Sequence, residues 1–211
     1  AVFDEAYERD VKLRMVDLPS FDTESVTALK EDGGIYRILT LEPEIQIWQY
    51  EAVAMMKAGE VQKIVGNDWE HGVRPDKEIA EAEAALPADF HNVKIKRCEI
   101  EIDKARAERL MSAWKPVLLE TRYTQPGEED VVVTDGVQDH FAMIAGFALL
   151  AGWTNYAPKD GVLAGLYNIA AAMSDYCAKR NPSALKALDG SLDILENRIA
   201  PVRDIKEISS K

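Results

Sequence analysis

The sequence has very few residues of the types that carry most metal binding and redox chemistry. It contains two cysteines, Cys98 and Cys177, and three histidines among 211 residues. The cysteines do not form a CxxC motif, and no histidines stand at HxH or HExxH spacing. Structural zinc sites and thioredoxin-like motifs are therefore excluded, and we expect neither a metal nor a cofactor.

Motifs for nucleotide binding and for a hydrolase nucleophile are also missing. The chain has no GxSxG elbow and no GxxxxGK[ST] phosphate loop. Gly33 and Gly34 lack the third glycine and the following helix of a dinucleotide-binding fingerprint. These absences favour a protein that is not an enzyme, although a missing motif excludes an enzyme only weakly.

Basic residues are fewer than acidic residues. The chain has 25 Lys and Arg against 37 Asp and Glu, which gives a net charge of -12 at pH 7. This field repels nucleic acid and anionic lipid, whereas it attracts a basic protein partner. The simpler alternative is that acidity only keeps the protein in solution.

Long hydrophobic runs are also absent. The apolar run from 141 to 153 is shorter than the ~20 residues that a membrane span requires, so we expect no transmembrane segment. The sequence does not distinguish the bacterial cytoplasm from the periplasm.

Length and patterning predict one α+β domain over residues 1–211, with a possible subdivision into 1–90 and 91–211. We expect a mainly antiparallel sheet packed against several helices, with a helical C-terminus. Period-2 alternation or β-branched content predicts strands at 11–16, 35–41 and 93–102. Helical spacing predicts short helices at the N-terminus and over 20–32, and longer ones at 42–59, 76–86 and 103–123. The alternation of IQIWQY at 45–50 is equally compatible with the start of a strand.

The stretch from 131 to 179 is the most distinctive part of the chain. Gly146, Gly152 and the aromatic residues that follow favour a hairpin of two strands, roughly 137–145 and 148–155. An Ala-rich helix over 139–151 is the competing interpretation. Two further helices follow, and the last carries a leucine stripe from Leu185 to Ile199 and closes at Pro201.

About the C-terminal half of the chain resembles small uncharacterised bacterial proteins, some of them associated with secreted-toxin loci. The similar features are LLETRY at 118–123, D-G-x-x-x-x-F at 135–141, Tyr156, Pro158 and the helix from Val162. Val137 departs from the pattern, since a small hydroxyl residue is more usual there. The resemblance implies a hairpin rather than a helix and a binding role, and it assigns no catalytic residue.

The weak candidates for catalysis are Asp135, Asp139 and His140. On a strand, Asp135 and Asp139 share one face, where two carboxylates could perform acid–base chemistry or hold a hard cation. Asp139 and His140 then face opposite sides. The alternative is an Asp-Gly turn followed by solvent-facing side chains, without catalytic function.

Two acidic loops, 66–75 and 124–130, are the candidates for a binding surface. An aromatic residue among charges is typical of interface anchors, although Trp69 folded over the edge of the core is the alternative. The candidate binding residues are Asp68, Trp69, Glu70, His71, Arg74, Glu128, Glu129 and Asp130.

Three functions remain open. The leading hypothesis is a non-enzymatic acidic binding protein, most concretely an immunity or inhibitor-type protein that occludes a bacterial toxin. The second is a small hydrolase or transferase that uses Asp135, Asp139 and His140. The third is a structural component that uses the leucine stripe at an interface. Cys98 and Cys177 are either one disulfide or two buried inert thiols, and the sequence alone leaves both possibilities open.

Overall fold

The computed structural model describes residues 3–19, 23–44, 93–119, 137–154 and 161–209, with the backbone alone at 137 and 201–209. The chain divides into two compact units, one of residues 3–42 and 96–211 and the other of residues 1–2 and 43–95. The predicted helices at 42–59 and 76–86 lie outside the described residues. The single-domain organisation stays a prediction.

A six-stranded antiparallel sheet forms the framework. Its order is β4-β3-β2-β1-β5-β6, so β4 and β6 are the two edges. The bounds are Val11–Pro19 for β1, Ser25–Asp32 for β2, Ile35–Pro43 for β3, Ile95–Ile102 for β4, Val137–Ala145 for β5 and Ala148–Thr154 for β6. With the helices described below, the sheet confirms the predicted α+β class.

Two glycine turns set the register of the hairpins. Gly33 and Gly34 both have positive φ and join β2 to β3 at the pair Asp32–Ile35. Gly146, also with positive φ, joins β5 to β6 at the pair Ala145–Ala148. Two-residue turns of this kind match the right-handed twist of antiparallel strands, and this is why glycine stands at these positions.

The helix predicted over 20–32 is wrong, because residues 25–32 form β2. β2 lies inside the sheet between β1 and β3. Val26, Ala28 and Leu29 are completely buried, so both faces of the strand are covered. A strand buried on both faces has apolar residues on both faces, so it lacks the period-2 alternation of a half-exposed strand. For this reason its apolar residues were compatible with the spacing of a helix.

Among the described residues, three α-helices cover one face of the sheet. They are α1 at Lys104–Leu119, α2 at Gly161–Lys179 and α3 at Pro182–Ser209. The predicted N-cap of α1 is confirmed, because the backbone N–H of Arg106 donates to Asp103 Oδ1 at 2.9 Å. Asn181 caps α3 in the same way, accepting from the backbone N–H of Ala184 at 2.9 Å.

The last helix does not close at Pro201 as predicted, since α3 continues to Ser209. Pro116 likewise lies inside α1. A proline ring removes one N–H donor from the helix ladder, which weakens a helix without necessarily ending it.

The hydrophobic core lies between the helices and the inner face of the sheet. The rings of Trp114 on α1 and Phe141 on β5 meet there with their centroids 6.0 Å apart. The leucine stripe of α3 is part of this core, with Leu188, Leu192 and Leu195 completely buried. The stripe is therefore occupied within the protein and is not free for a partner.

One disulfide ties the edge strand β4 to α2. Cys98 and Cys177 are bonded, with their Cα atoms 6.0 Å apart. This settles the alternative left open by the sequence in favour of the disulfide. Neither cysteine is a thiol, so neither is available as a nucleophile.

Ion pairs join elements that lie far apart in the sequence. On the helical side, Arg106 contacts Asp189 at 2.8 Å, and Arg109 contacts Glu196 at 2.8 Å. On the other side of the sheet, Glu5 of the short 3-10 helix Asp4–Tyr7 accepts from Arg97 Nε at 2.9 Å. The guanidinium of Arg97 holds the pKa of Glu5 below its ordinary value. The first two contacts join α1 to α3, and the third joins the N-terminal 3-10 helix to the edge strand β4.

Gly165 marks the closest approach of α2 to α3. A Cβ at this position would lie 2.7 Å from Leu195 Cδ1, and Leu195 is completely buried. We expect Gly165→Ala to destabilise the protein by about 1–3 kcal/mol through overpacking, measured by urea unfolding.

The matched control is Gly190→Ala on α3, where a Cβ would meet nothing within 4 Å. It should be neutral or stabilise by up to about 1 kcal/mol, because alanine favours the helix. Equal effects of the two substitutions would contradict this packing.

Candidate functional site

The β5–β6 hairpin presents two chemically different faces. Residues alternate along each strand, so Asp139, Phe141 and Met143 of β5 face the helices. These three side chains are buried. The intervening residues His140 and Ile144 are exposed on the outer face. The predicted hairpin, including its turn at Gly146, is confirmed over the predicted helix.

On the inner face, two carboxylates stand directly opposite each other. Asp17 of β1 pairs with Asp139 of β5, and Asp139 pairs in turn with Thr154 of β6. The three residues lie in one row across adjacent strands. Cβ atoms of directly opposed residues lie about 5 Å apart, so the two carboxyl groups are within reach of each other.

Asp139 is completely buried, with 0% of its surface exposed. Among the described residues, neither of its carboxylate oxygens has a hydrogen-bond partner of good geometry. Burial, followed by the negative charge of Asp17, raises the pKa of Asp139 to about 7. The prediction that the residues after the Asp-Gly turn face solvent is therefore wrong for Asp139. A carboxyl with this pKa is about half protonated at neutral pH, whereas an ordinary aspartate is almost fully ionised there.

Tyr167 of α2 lies above the same row. Burial raises the pKa of the Tyr167 phenol, and the charges of Asp17 and Asp139 raise it further. The inner end of the hairpin thus gathers two carboxyl groups and a phenol, with the hydroxyl of Thr154 beside Asp139.

The structure places Asp139 and His140 on opposite faces of β5, as predicted. His140 lies on the outer face, where its Nε2 is 3.0 Å from Gln138 Oε1, while Asp139 points into the protein. Partial burial of the ring lowers the pKa of His140. Asp135 lies outside the described residues. An acid–base pair of Asp139 and His140 is thus absent, as expected for neighbours on a strand.

Asp17 is the site residue that sequence reasoning missed. It continues the alternation of Leu13 and Met15 and so shares their inward face, but the strand was predicted to end at residue 16. The signal was available in the sequence. A charged residue in phase with the buried positions of a strand is unusual enough to mark a special site.

The outer face of the hairpin is apolar and open to solvent. Phe147 at the turn is fully exposed, Leu149 is 60% exposed and Trp153 is 58% exposed. Ile144 pairs with Leu149, and His140 pairs with Trp153, so their side chains are neighbours on one surface. We call the side chains of Ile144, Phe147, Leu149 and Trp153 the hairpin face.

β6, which carries Leu149 and Trp153 of the hairpin face, is an edge strand of the sheet. β6 pairs with β5 alone in the order of the described strands. Residues 143–154 contain no charged side chain in a protein whose residues are 29% charged. Exposed edge strands are normally protected by charges, prolines or bulges, so an uncharged apolar edge is the signature of a contact surface.

An open cleft adjoins the tip of the hairpin. It has a volume of about 560 Å³ and lies between α1 and β5, where it is lined by Met111, Ser112, Lys115 and Gly146. Ser112 and Lys115 stand at SxxK spacing, as do Ser183 and Lys186 on α3, and all four side chains are exposed. A lysine serves as a base only when burial or a neighbouring cation lowers its pKa, so we assign no catalysis to either pair.

The predicted binding residues belong to the two acidic loops, 66–75 and 124–130. Asp68, Trp69, Glu70, His71 and Arg74 lie outside the described residues. The same holds for the second loop, with Glu128, Glu129 and Asp130. Their role in binding stays a prediction.

Neither a metal cluster nor a membrane-spanning helix occurs in the described part of the chain. Three or more Cys, His, Asp or Glu side chains are nowhere grouped as metal ligands there. No described helix is long and apolar enough to cross a membrane. Among the described residues, no further acidic or imidazole side chain is grouped with Asp17 and Asp139 as a metal ligand.

Comparisons with known proteins do not place the chain in a family. No family model, no curated protein and no solved structure matches it. The resemblance to small bacterial proteins associated with toxin loci therefore stays a prediction, and function has to be argued from the residues themselves.

Proposed function

We propose that this protein is a non-enzymatic binding protein and that the hairpin face is its contact surface. The observation that carries the proposal is the exposure of Phe147, Leu149 and Trp153 around an uncharged edge strand. Trp and Phe are enriched in protein interfaces, and Trp is among the residues that contribute most to affinity. Isolated exposed apolar residues are common, but these are neighbours on one surface.

The partner we propose is a basic protein with an apolar contact patch. The chain carries a net charge of -12, so its field accelerates association with a cationic protein and opposes association with a second copy of itself. The hairpin face supplies apolar contact, and the net negative charge of the chain supplies steering. An inhibitor of a bacterial toxin, which covers a basic active-site cleft, is the most specific form of this proposal.

The disulfide supports a location in an oxidising compartment. Disulfides persist in the periplasm and outside the cell, whereas cytosolic thiols are kept reduced. Of the two compartments that the sequence leaves open, we therefore propose the periplasm. Free thiols at Cys98 and Cys177 in protein isolated under thiol-trapping conditions would argue for the cytoplasm.

The binding experiment compares the wild-type protein with Leu149→Ser/Trp153→Ser. The bait is the product of the gene adjacent to the one that encodes this chain, and affinity is measured by calorimetry. We expect the double variant to bind about 100-fold more weakly, because two central apolar contacts are lost. The wild-type association rate should fall about tenfold between 0.05 and 0.5 M salt.

The matched control is Ile194→Ser on α3. The side chain of Ile194 is similarly exposed, at 54%, but lies outside the hairpin face. It should bind like the wild type. Equal loss in both variants, or no complex of the wild type with this bait or with any basic protein, would overturn the proposal. A wild-type dimer in gel filtration that Leu149→Ser/Trp153→Ser converts to a monomer would replace the basic partner with a second copy.

A further inference from the structure

We infer that the partner contributes an extended, cationic segment that pairs with β6 as a further strand of the sheet, which presupposes the contact role proposed for the hairpin face. Among the described strands, β6 pairs with β5 alone, so its other side is an edge. A strand edge offers backbone N–H and C=O groups to a chain that lies beside it. Strand addition at such an edge draws affinity from main-chain hydrogen bonds and specificity from alternate side chains.

The register of the hairpin shows which backbone groups of β6 point away from β5. The two residues between the strands form a hydrogen-bonded turn, in which the first residue accepts from the fourth, so Ala145 and Ala148 are a hydrogen-bonded pair. Hydrogen-bonded and non-hydrogen-bonded pairs alternate along an antiparallel ladder, and this ladder runs in unbroken register. The N–H and C=O groups that point outward therefore belong to Leu149, Ala151 and Trp153.

The side chains of these three residues lie on the hairpin face and are exposed. Leu150, between them, points to the other face and packs against the core. A strand added beside β6 places every second side chain next to Leu149, Ala151 and Trp153. The incoming segment is therefore apolar at alternate positions.

Charge decides the other positions of the incoming segment. The chain has a net charge of -12, so a cationic segment is attracted, whereas the edge of a second copy is repelled. Residues 143–154 carry no charged side chain, so β6 lacks the lysines and other charges that commonly prevent pairing at an edge. The segment that fits this edge alternates apolar and basic residues.

Amide hydrogen exchange of the free protein tests whether the edge is open. We expect the amides of Leu149, Ala151 and Trp153 to exchange at least about tenfold faster than those of Leu150 and Gly152, which donate to β5. Equal protection of the two sets would show that the edge is already covered, by another segment of this chain or by a second copy. Either result would overturn the inference.

The probe for the incoming segment is a peptide of about ten alternating valine and lysine residues, the length of a long strand. Its control is the same peptide methylated on every backbone nitrogen, which keeps the side chains and the charge but cannot donate main-chain hydrogen bonds. We expect the unmethylated peptide to bind the wild type at least about tenfold more tightly and to slow the exchange of the three outward amides. Equal binding of both peptides, or no protection of these amides at millimolar peptide, would overturn strand addition.

Ala151→Pro separates strand addition from side-chain contact in the complex with the adjacent gene product. Proline removes the outward N–H and leaves the bonds to β5, so the amides of Phe141 and Met143 should stay protected. We expect the affinity to fall about tenfold or more. If Ala151→Pro binds like the wild type while Leu149→Ser/Trp153→Ser does not, the contact role stands and strand addition fails. If neither variant changes binding, the contact role itself fails.

Discussion

Removal of the Cys98–Cys177 disulfide is expected to lower the free energy of unfolding by about 4 kcal/mol. The bond joins residues 79 apart in sequence, so it restricts a long loop of the unfolded chain. The loss of this restriction on the unfolded state dominates the expected effect. The measurement is urea unfolding of Cys98→Ala/Cys177→Ala beside the oxidised wild type.

The reduced wild type is the matched control, since it loses the bond without losing either side chain. It should unfold at a urea concentration close to that of the double variant, and a reducing agent should not affect the double variant. A loss of less than about 1 kcal/mol in both would show that β4 and α2 are held together equally well without the bond.

Asp139→Asn is expected to abolish a fall in stability that the wild type shows between pH 4 and pH 7. The pKa of Asp139 is raised to about 7 in the folded protein, whereas an unfolded aspartate titrates near 4. Between these values the folded state binds more protons than the unfolded state, so stability decreases as the pH rises. The contribution is complete below about pH 4 and is lost as the pH rises through 7, for a total of about 4 kcal/mol.

The measurement is the free energy of unfolding at several pH values for both proteins, since their difference removes the titration of all other groups. At pH 8 the variant should be the more stable protein, because an asparagine carries no charge to bury beside Asp17. The contrary result is a wild type that is more stable than Asp139→Asn at pH 8, by a margin that grows with pH. It would show that ionised Asp139 stabilises the folded protein and would refute the raised pKa of its carboxyl.

The hairpin was predictable because local signals and the fold agree at that point. Gly146 supplies the positive φ of a two-residue turn, and the strands on either side have the apolar content that strands need. The N-cap of α1 was equally predictable, and Asp103 caps this helix as predicted. Such signals act over a few residues and need no knowledge of distant packing.

β2 could not be predicted for the opposite reason. Its residues are buried on both sides by neighbours that only the complete sheet brings together, and double burial hides the alternation of a strand. The site depended on the same long-range information. Asp139 was singled out by sequence, but its pairing with Asp17 requires the β1–β5 register, which joins segments more than a hundred residues apart.

The two faces of the hairpin differ in chemistry. The inner face holds the buried carboxyl of Asp139, whose raised pKa makes the stability of the protein depend on pH. The outer face presents apolar side chains on an edge strand to solvent. We therefore propose the hairpin as the contact surface, whereas the sequence alone favoured the acidic loops.

Hydrogen exchange of the protein with and without the adjacent gene product tests the contact role of the hairpin most directly. We predict that binding increases the protection of residues 144–153 by about tenfold or more, since an edge strand gains backbone and apolar contacts when it is covered. The exposed face of α3 around Ile194 should exchange as in the free protein. Protection confined to α3, or to any surface other than residues 144–153, would contradict the assignment of the hairpin face as the contact surface.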